Sequence, residues 1–496
     1  MTNVPPTLKR NWILAALMMT MFLAAMDIAI ISTVIPEIVR DIGGFKIFSW
    51  VFSIYLLTQT ATIPLYGKLS DLYGRKKILL VGISIFLVGS ALSAAAWNIY
   101  ALIFFRGIQG IGAGSIMATV STIAGDIYTI KERARIQGWL SSVWGVSAIL
   151  GPVLGGGLTE LFNWRWIFLI NLPVGIVAGI LIFIFLKEKV RKQTVEIDYA
   201  GAISIFAMLT TLIIFLLNGG QIWSWFSFQS IAFFIAFVLL TILTILVERR
   251  AKSPIIPGWV LTNRTFLGSN LAVIGLGIAM MGPQTYFPTF MQTSLGYNII
   301  LSGLVLASMS IGWPTASALS GRLYLRIGFR NTELIGSVVM ILSCIAFLFI
   351  SWPQPIYLLV INMVLLGAGF GLISTPTVVS IQSVVGWEER GVVTGINQFG
   401  RYLGQSLGAA IFGAIFNFTY GKELDQAGMT ISKDMEDVIE QLHNPGLPEN
   451  IKQTIRLAIN TANQHIFYGV LFFGLLTFLA IWLLVPRRLK IHQSQS

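Results

Sequence analysis

Apolar residues gather into fourteen long runs, over 12–36, 48–70, 78–97, 100–125, 134–160, 166–186, 198–218, 226–248, 266–292, 300–321, 332–351, 356–384, 391–419 and 465–485. A helix of about 20 apolar residues crosses the hydrocarbon of a bilayer, so the pattern predicts an all-α polytopic membrane protein with fourteen transmembrane helices. The first run is too long for a signal peptide and lacks a small-residue cleavage site, which makes it a permanent helix. Most connections are short. The exception, 420–464, carries seven acids (Glu423, Asp425, Asp434, Glu436, Asp437, Glu440 and Glu449). Within it, the spacing over Asp434–Leu442 predicts a short helix at or outside the membrane surface.

The pattern repeats. GKLSDLYGRKK (67–77) follows the second run and GRLYLRIGFRN (321–331) the tenth, an offset of 254 residues. Glu132-Arg133, Gly138 and Leu150-Gly151 recur as Glu389-Arg390, Gly395 and Leu407-Gly408, an offset of 257. Two ordered matches predict two homologous six-helix halves, 1–190 and 256–496, with two inserted helices in 191–255. Parallel six-helix repeats place a substrate cavity at their interface near the membrane midplane.

Composition narrows the function. With 55% hydrophobic and 11% charged residues the chain lacks the polar surface of a soluble enzyme or nucleic-acid binder, and one cysteine excludes a disulfide scaffold. The net charge of +12 invites a nucleic-acid reading, but 24 of the 33 Lys and Arg fall in alternate loops and termini on one side of the predicted helices. Seven fall on the other, four of them in 420–464. Such asymmetry places both termini and the 67–77 loop in the cytoplasm, and 420–464 outside. Cys344 lies in an apolar run, and the three histidines form no metal constellation with other residues.

Ionisable residues within the runs are the candidates for chemistry, because an unpaired charge in the hydrocarbon costs several kcal/mol. Asp27 is the one acid placed well inside a run; the other acids fall at run ends or in loops. It lies about 13 Å from the outer end of its helix and Arg106 about 9 Å from the outer end of its own. The two share a depth and can pair directly, through water or through Gln109. A fixed ion pair, or a snorkelling Arg106, is the plain structural alternative. The functional reading is a carboxylate that exchanges a proton or a cation: burial favours its neutral form and the arginine its charged form. Arg401 is nearer the cytoplasmic interface, where snorkelling and function are evenly balanced.

In the 67–77 loop, Gly67 and Gly74 permit a tight turn and close helix contact, and Asp71 and Arg75 stand at ion-pair spacing. Asp126, at the end of the fourth run, completes a candidate conformational latch, while Lys76 and Lys77 are topological anchors. The fifth run holds Gly138, Gly145, Gly151-Pro152 and Gly155-Gly156-Gly157, where close helix packing competes with a functional role. Gln59, Gln284, Asn362, Asn397 and Gln398 are candidate cavity-lining residues, or helix-to-helix glue. Met280-Met281 and Tyr286-Phe287 are more naturally packing. Trp164-Arg165-Trp166 through Asn171 and Pro173 reads as an aromatic anchor at the outer interface.

Together these motifs resemble the major facilitator superfamily, and more narrowly its fourteen-helix drug:proton antiporters, along essentially the whole chain. GKLSDLYGRKK resembles the superfamily's loop signature. LIFFRGIQGIGAG resembles the motif implicated in proton coupling, with Arg106 as its arginine. GVSAILGPVLGG resembles the exporter motif, and MDIAIISTVIPEI, WRWIFLINLPVG and the DYAG at Asp198 resemble motifs of the fourteen-helix group. Departures are Ala29 and Ser32 in the first-helix motif, Ser147 in the exporter motif, and Leu325 at the position repeating Asp71, so the latch is expected in one half only. The additional late-helix acid associated with divalent-cation recognition is absent.

The resemblance implies proton-coupled export of lipophilic, in part cationic, compounds from the cytoplasm by alternating access. No cofactor is expected beyond the proton gradient. The implied partners are small lipophilic substrates, protons and the lipid bilayer, with no nucleic acid, for a monomer in a bacterial cell membrane. The alternative within transport is export of one physiological solute or lipid-like amphiphile. A membrane-embedded enzyme would need paired carboxylates, histidines or a metal set that the sequence lacks.

Overall fold

The structure, a computed structural model, describes residues 7–43, 47, 49–188, 198–219, 223–252, 254–349, 355–426 and 449–489. Among these, helices account for nearly all regular structure, with one isolated bridge between Gly219 and Trp223. The first group of helices is α1 (Thr7–Ile42), α2 (Ser49–Tyr73), α3 (Arg75–Ala94), α4 (Ile99–Ile127), α5 (Ile130–Leu161), the single turn α6 (Trp166–Leu169) and α7 (Asn171–Phe185). Next come α8 (Tyr199–Asn218), α9 (Phe228–Arg250) and the short α10 (Gly258–Thr262). The last group is α11 (Arg264–Thr293), α12 (Ile299–Ile327), α13 (Phe329–Leu348), α14 (Ile356–Ser383), α15 (Arg390–Gln426) and α16 (Glu449–Leu484).

Local chemistry sets many of these starts. Asn98, Asp198, Ser227, Asn263 and Asn298 each accept a hydrogen bond from a first-turn amide of the helix that follows. Thr129 and Glu132 form a reciprocal capping box at α5. Gly74, at φ +95°, is the single residue between α2 and α3, and Gly328, at φ +86°, is its equivalent between α12 and α13. A side chain would be strained at either position.

Eleven described segments are long and apolar enough to cross a membrane. Helices α2, α12 and α15, of 25, 29 and 37 residues, lie outside that set although long enough. All three are interrupted by small and polar residues, and with α5 they carry the contact between the two groups, α2 against α15 and α5 against α12. Each group has its own apolar core, one including Leu17, Tyr55, Phe86 and Met117, the other Phe287, Met340, Phe370 and Phe467. Helix α8 lies beside this seam, where Ile205 and Leu209 pack with Ala61 and Leu65 of α2 and with Phe399 of α15. Helix α9 shows most of its surface outward, Phe234, Leu239, Ile242 and Leu246 among its exposed residues.

Two expected boundaries change. The polar interval 420–464 is largely helix at both ends: α15 runs on to Gln426 and α16 starts at Glu449. Its mean polarity masks helical periodicity, since Leu424, Ile455, Ala458, Ile459 and Ala462 are all buried in the second core. The helix expected over 434–442 lies outside the described residues. The sixth run divides at Ile170. Pro173, lacking an N–H, cannot bond back to the Leu169 carbonyl, and the helix restarts at Asn171.

Candidate functional site

Asp27, Arg106 and Gln109 meet inside the first group, and all three are fully buried. Arg106 Nη1 donates to Asp27 Oδ2 and, at 2.6 Å, to Gln109 Oε1. Gln109 Nε2 donates to Asp27 Oδ1 at 2.8 Å, closing a ring of three side chains from α1 and α4. Arg106 also donates to the Val51 carbonyl at 3.3 Å, and its guanidinium lies over the Tyr55 ring, 4.2 Å from the centroid. A fourth member, absent from the sequence expectations, is Asn171: its amide donates to Asp27 Oδ1 at 3.2 Å and to Ser90 Oγ at 3.0 Å. The restart of the helix at residue 171 turns this asparagine inward. Asp27 has no exposed surface, so in this conformation it belongs to the interior of the first group and does not line an open cavity. Removing one member of a buried ion pair typically costs about 3–5 kcal/mol, so the cluster is a strong determinant of local structure as well as a chemical site.

A second cluster sits at the end of the molecule that carries Gly74, here called the basic end. Arg75 Nη2 donates to Asp71 Oδ1 at 2.7 Å, and Arg75 Nε is 3.1 Å from Asp126 Oδ2. Both partners reach across the seam. Asp71 accepts from the Gly391 and Val392 amides at 2.9 and 2.8 Å, an anion at the N-terminus of α15 where the helix dipole favours it. Asp126 accepts from Arg390 Nη1 at 3.0 Å. Arg75 itself donates to the Trp387 carbonyl, with its guanidinium 3.6 Å from the centroid of the Trp387 ring. Trp387, Arg390 and the α15 amides are not foreseeable from the sequence, because contacts across 264 to 321 residues leave no local pattern. Gly67 meets α15 so closely that an added Cβ would stand 2.6 Å from the Gly391 carbonyl oxygen.

The Major Facilitator Superfamily model matches residues 17–409. The chain belongs to the major facilitator superfamily. The multidrug transporter protein MdtP of Bacillus subtilis is 35% identical over 416 residues, covering 84% of this chain and 77% of that protein. Multidrug resistance protein 3 of the same organism is 33% identical, covering 84% of this chain and 81% of its own length. In fold, the chain is similar to the human organic anion transporter MFSD10 (TETRAN), with a TM-score of 0.64 at 14% identity over 96% of this chain and all of that one. It is a multi-pass membrane transporter of the superfamily, not an enzyme, with multidrug transporter and multidrug resistance proteins among its relatives.

Placed on this major facilitator fold, the exporter-motif residues divide between two contacts. Gly138 faces α12, where a Cβ would lie 2.9 Å from Ala318 Cβ and the Pro314 carbonyl oxygen, and Gly145 faces Ser310. Gly151 instead faces α1, 2.6 Å from Ala29 Cβ by the same measure, two residues from Asp27. Gly155 is buried, Gly156 has open space, and Pro152 is exposed. The candidate cavity residues also separate. Gln398 bonds Ser121 Oγ across the seam at 3.3 Å, joined by Gln382, which donates to the Ser121 carbonyl. Gln59 is buried with neither amide atom partnered, and Gln284 is half-buried on α11. Asn397 bonds Asn270 of α11, and Asn362 bonds between helices within the second group, its amide and Ser343 of α13 bonding each other reciprocally. Met280, Met281 and Tyr286 pack on the second core.

Two further expectations are corrected. Trp164 is not an interfacial anchor but buried, its indole donating to Asp41 at 2.9 Å beside the Arg165–Asp41 pair at 2.7 Å. Those bonds, Trp164 first, hold the Asp41 carboxyl below its ordinary value of 3.8. Asp27 is also not the only deeply placed acid, because Glu333, in the second turn of α13, is fully buried.

Proposed function

We propose that this transporter is a proton-coupled antiporter that exports lipophilic, in part cationic, compounds from the cytoplasm by alternating access. The basic end faces the cytoplasm in this reading, supported by the placement of 24 of the 33 Lys and Arg. The inter-group contacts named above run from that end to about the level of Gly145 and Ser310, and correspond to a state shut towards the cytoplasm. A relative named as an efflux pump, FUS6 of Gibberella moniliformis, supports export as the direction.

The observation that carries the proton step is the asymmetry of the Asp27–Arg106 pair. If Asp27 takes up a proton, Arg106 keeps Gln109 Oε1, the Val51 carbonyl and the Tyr55 ring. The neutral acid keeps hydrogen bonds to Gln109 and Asn171. Arg106 then loses its counter-charge but keeps these neutral partners, which lowers the cost of the neutral form below that of a simple buried salt bridge and lets the pair alternate between ionised and neutral forms. Asp27 takes a proton from the outer side, loosening its hold on Arg106, and gives it up inward as substrate binds.

The test uses proteoliposomes with an imposed pH gradient and a panel of labelled compounds. Asp27→Asn should abolish uphill export while Asp27→Asn with Arg106→Gln, which leaves no unpaired charge, restores folded yield but not pumping. Pumping by Asp27→Asn at the normal rate would end this reading.

A further inference from the structure

Glu333 is fully buried, neither of its carboxyl oxygens has a hydrogen-bond partner, and it takes part in none of the ion pairs among the described residues. The Thr377 hydroxyl of α14 donates to the Ile373 carbonyl at 2.6 Å, so its one proton is committed within its own helix. An unpaired carboxylate in such a place costs far more than a neutral carboxylic acid does. The neutral form of Glu333 is the one this environment tolerates.

Ahead of Glu333, towards the start of α13, lies an apolar plug shared between the two groups of helices. Phe329, one turn before Glu333, stacks on Tyr324 at 4.5 Å, and both pack with Val379 of α14 and with Ala134 of α5. The Tyr324 hydroxyl donates to the Ile130 carbonyl of α5. Two of the plug's contacts, Ala134 and Ile130, thus belong to the first group and leave with it when the seam parts. The ionisable neighbours do not compensate Glu333. Helix α14 carries none but Tyr357 in its first turn, while Arg322 and Arg326 of α12 and Arg487 and Arg488 after α16 are exposed or half-exposed. Arg330 donates to the Trp482 carbonyl, and Arg133 of α5 to the Gly125 and Tyr128 carbonyls.

We propose that Glu333 is a second proton-exchanging group, sealed while the seam is shut at the basic end and wetted when it opens there. On opening, the acid's O–H gives its proton to water on the basic side; before closing, the carboxylate takes one back from the same side. Reclosure then consumes a proton from that side, making the step a sensor of its pH. The proposal rests on alternating access at the seam, and is independent of whether Asp27 carries the coupling proton.

Infrared spectroscopy of the purified protein in nanodiscs at neutral pH reads the protonated carboxyl directly. Glu333→Gln should remove one protonated-carboxyl band from the closed protein, Asp27→Asn should leave that band in place, and Glu333→Asp should move it. Gly391→Val, which drives a side chain into the Gly67 carbonyl, wedges the seam apart. In that variant the Glu333 band should fall by more than half and return on acidification. Absence of a Glu333-dependent band, or a band equally strong in the wedged protein, would overturn the proposal. Uphill pumping by Asp27→Asn would end the coupling mechanism above while leaving these spectra unchanged, so the two failures are separable.

Discussion

At the α2–α3 turn Gly74 adopts φ +95° and at the α12–α13 turn Gly328 adopts φ +86°, each followed at once by a new helix. Seven residues before each glycine stands another, Gly67 or Gly321, pressed against the opposite group of helices. Between these shared points the chemistry diverges. The first turn places Asp71 and Arg75 in an ionic network that caps α15 and reaches Asp126 and Arg390. The second has Leu325 and Phe329 at the repeated positions, with Leu325 turned outward and Phe329 stacked on Tyr324. One joint is held by directional, charge-assisted bonds and the other by apolar contact with a single hydroxyl bond. Repetition has preserved the backbone of the joint and left its adhesive free to differ, which makes the two separately addressable.

The sharpest way to break the contrast is to remove the ionic hub. Arg75→Ala leaves Asp71 with the α15 amides but no cation, and Asp126 with Arg390 alone, a loss of about 3–5 kcal/mol for a buried pair. We expect transport to fall at least tenfold, and spin-label distances across the basic end to lengthen; Asp71→Asn should do the same to a lesser degree. Unchanged distances would make the network a passive anchor.

A smaller effect distinguishes the two glycine contacts. An added Cβ at Gly67 meets the Gly391 carbonyl oxygen at 2.6 Å, backbone that cannot be trimmed, whereas at Gly321 it meets the Ala134 Cβ at 2.6 Å. Gly67→Ala should therefore impair closure without a side-chain remedy, while Gly321→Ala should be rescued by Ala134→Gly. Failure of that rescue in a transport assay would show that the second joint is not the side-chain contact described.

Smaller again, Tyr324→Phe deletes one hydrogen bond at the apolar joint, worth about 1 kcal/mol. It should shift the closed population by several-fold at most and leave Phe329 stacked, as read by the same spin labels. The least effect is expected away from both joints. Asp41 binds fewer protons folded than unfolded, so its stabilising share is present above pH 3.8 and fades as pH falls through its lower folded-state value. Asp41→Asn should cost little melting temperature at neutral pH, and less still in acid.

Much of this architecture is legible in one sequence because a bilayer imposes length and polarity on each helix. The Asp27–Arg106–Gln109 meeting followed from counting residues to helix ends, since depth in a membrane is a coordinate that sequence supplies. Asn171 escaped because its neighbours Trp164, Trp166 and Pro173 read as an interface, and only the break at Ile170 turns it inward. Glu333 escaped because an acid near the start of a helix ordinarily meets water, and the helices that cover it, α12 and α14, pack on α13 in a register no local pattern reveals. The ends of 420–464 were read by average polarity, which hides one apolar face of a helix. What sequence withheld throughout was contact across the seam, as between Asp71 and α15, where register between remote helices decides the partner.

The apolar strip where α8 touches both α2 and α15 carries a mechanical implication. Ile205 and Leu209 meet Ala61 and Leu65 on one side and Phe399 on the other through surfaces with no preferred direction of bonding. Helices can slide along such a strip with little change in energy, since one methyl contact replaces another. Helix α8 thus resembles a bearing along which the two groups can turn past each other, whereas the directional bonds across the seam, the ionic network at the basic end and the Gln398 and Gln382 bonds to Ser121, must be broken and remade.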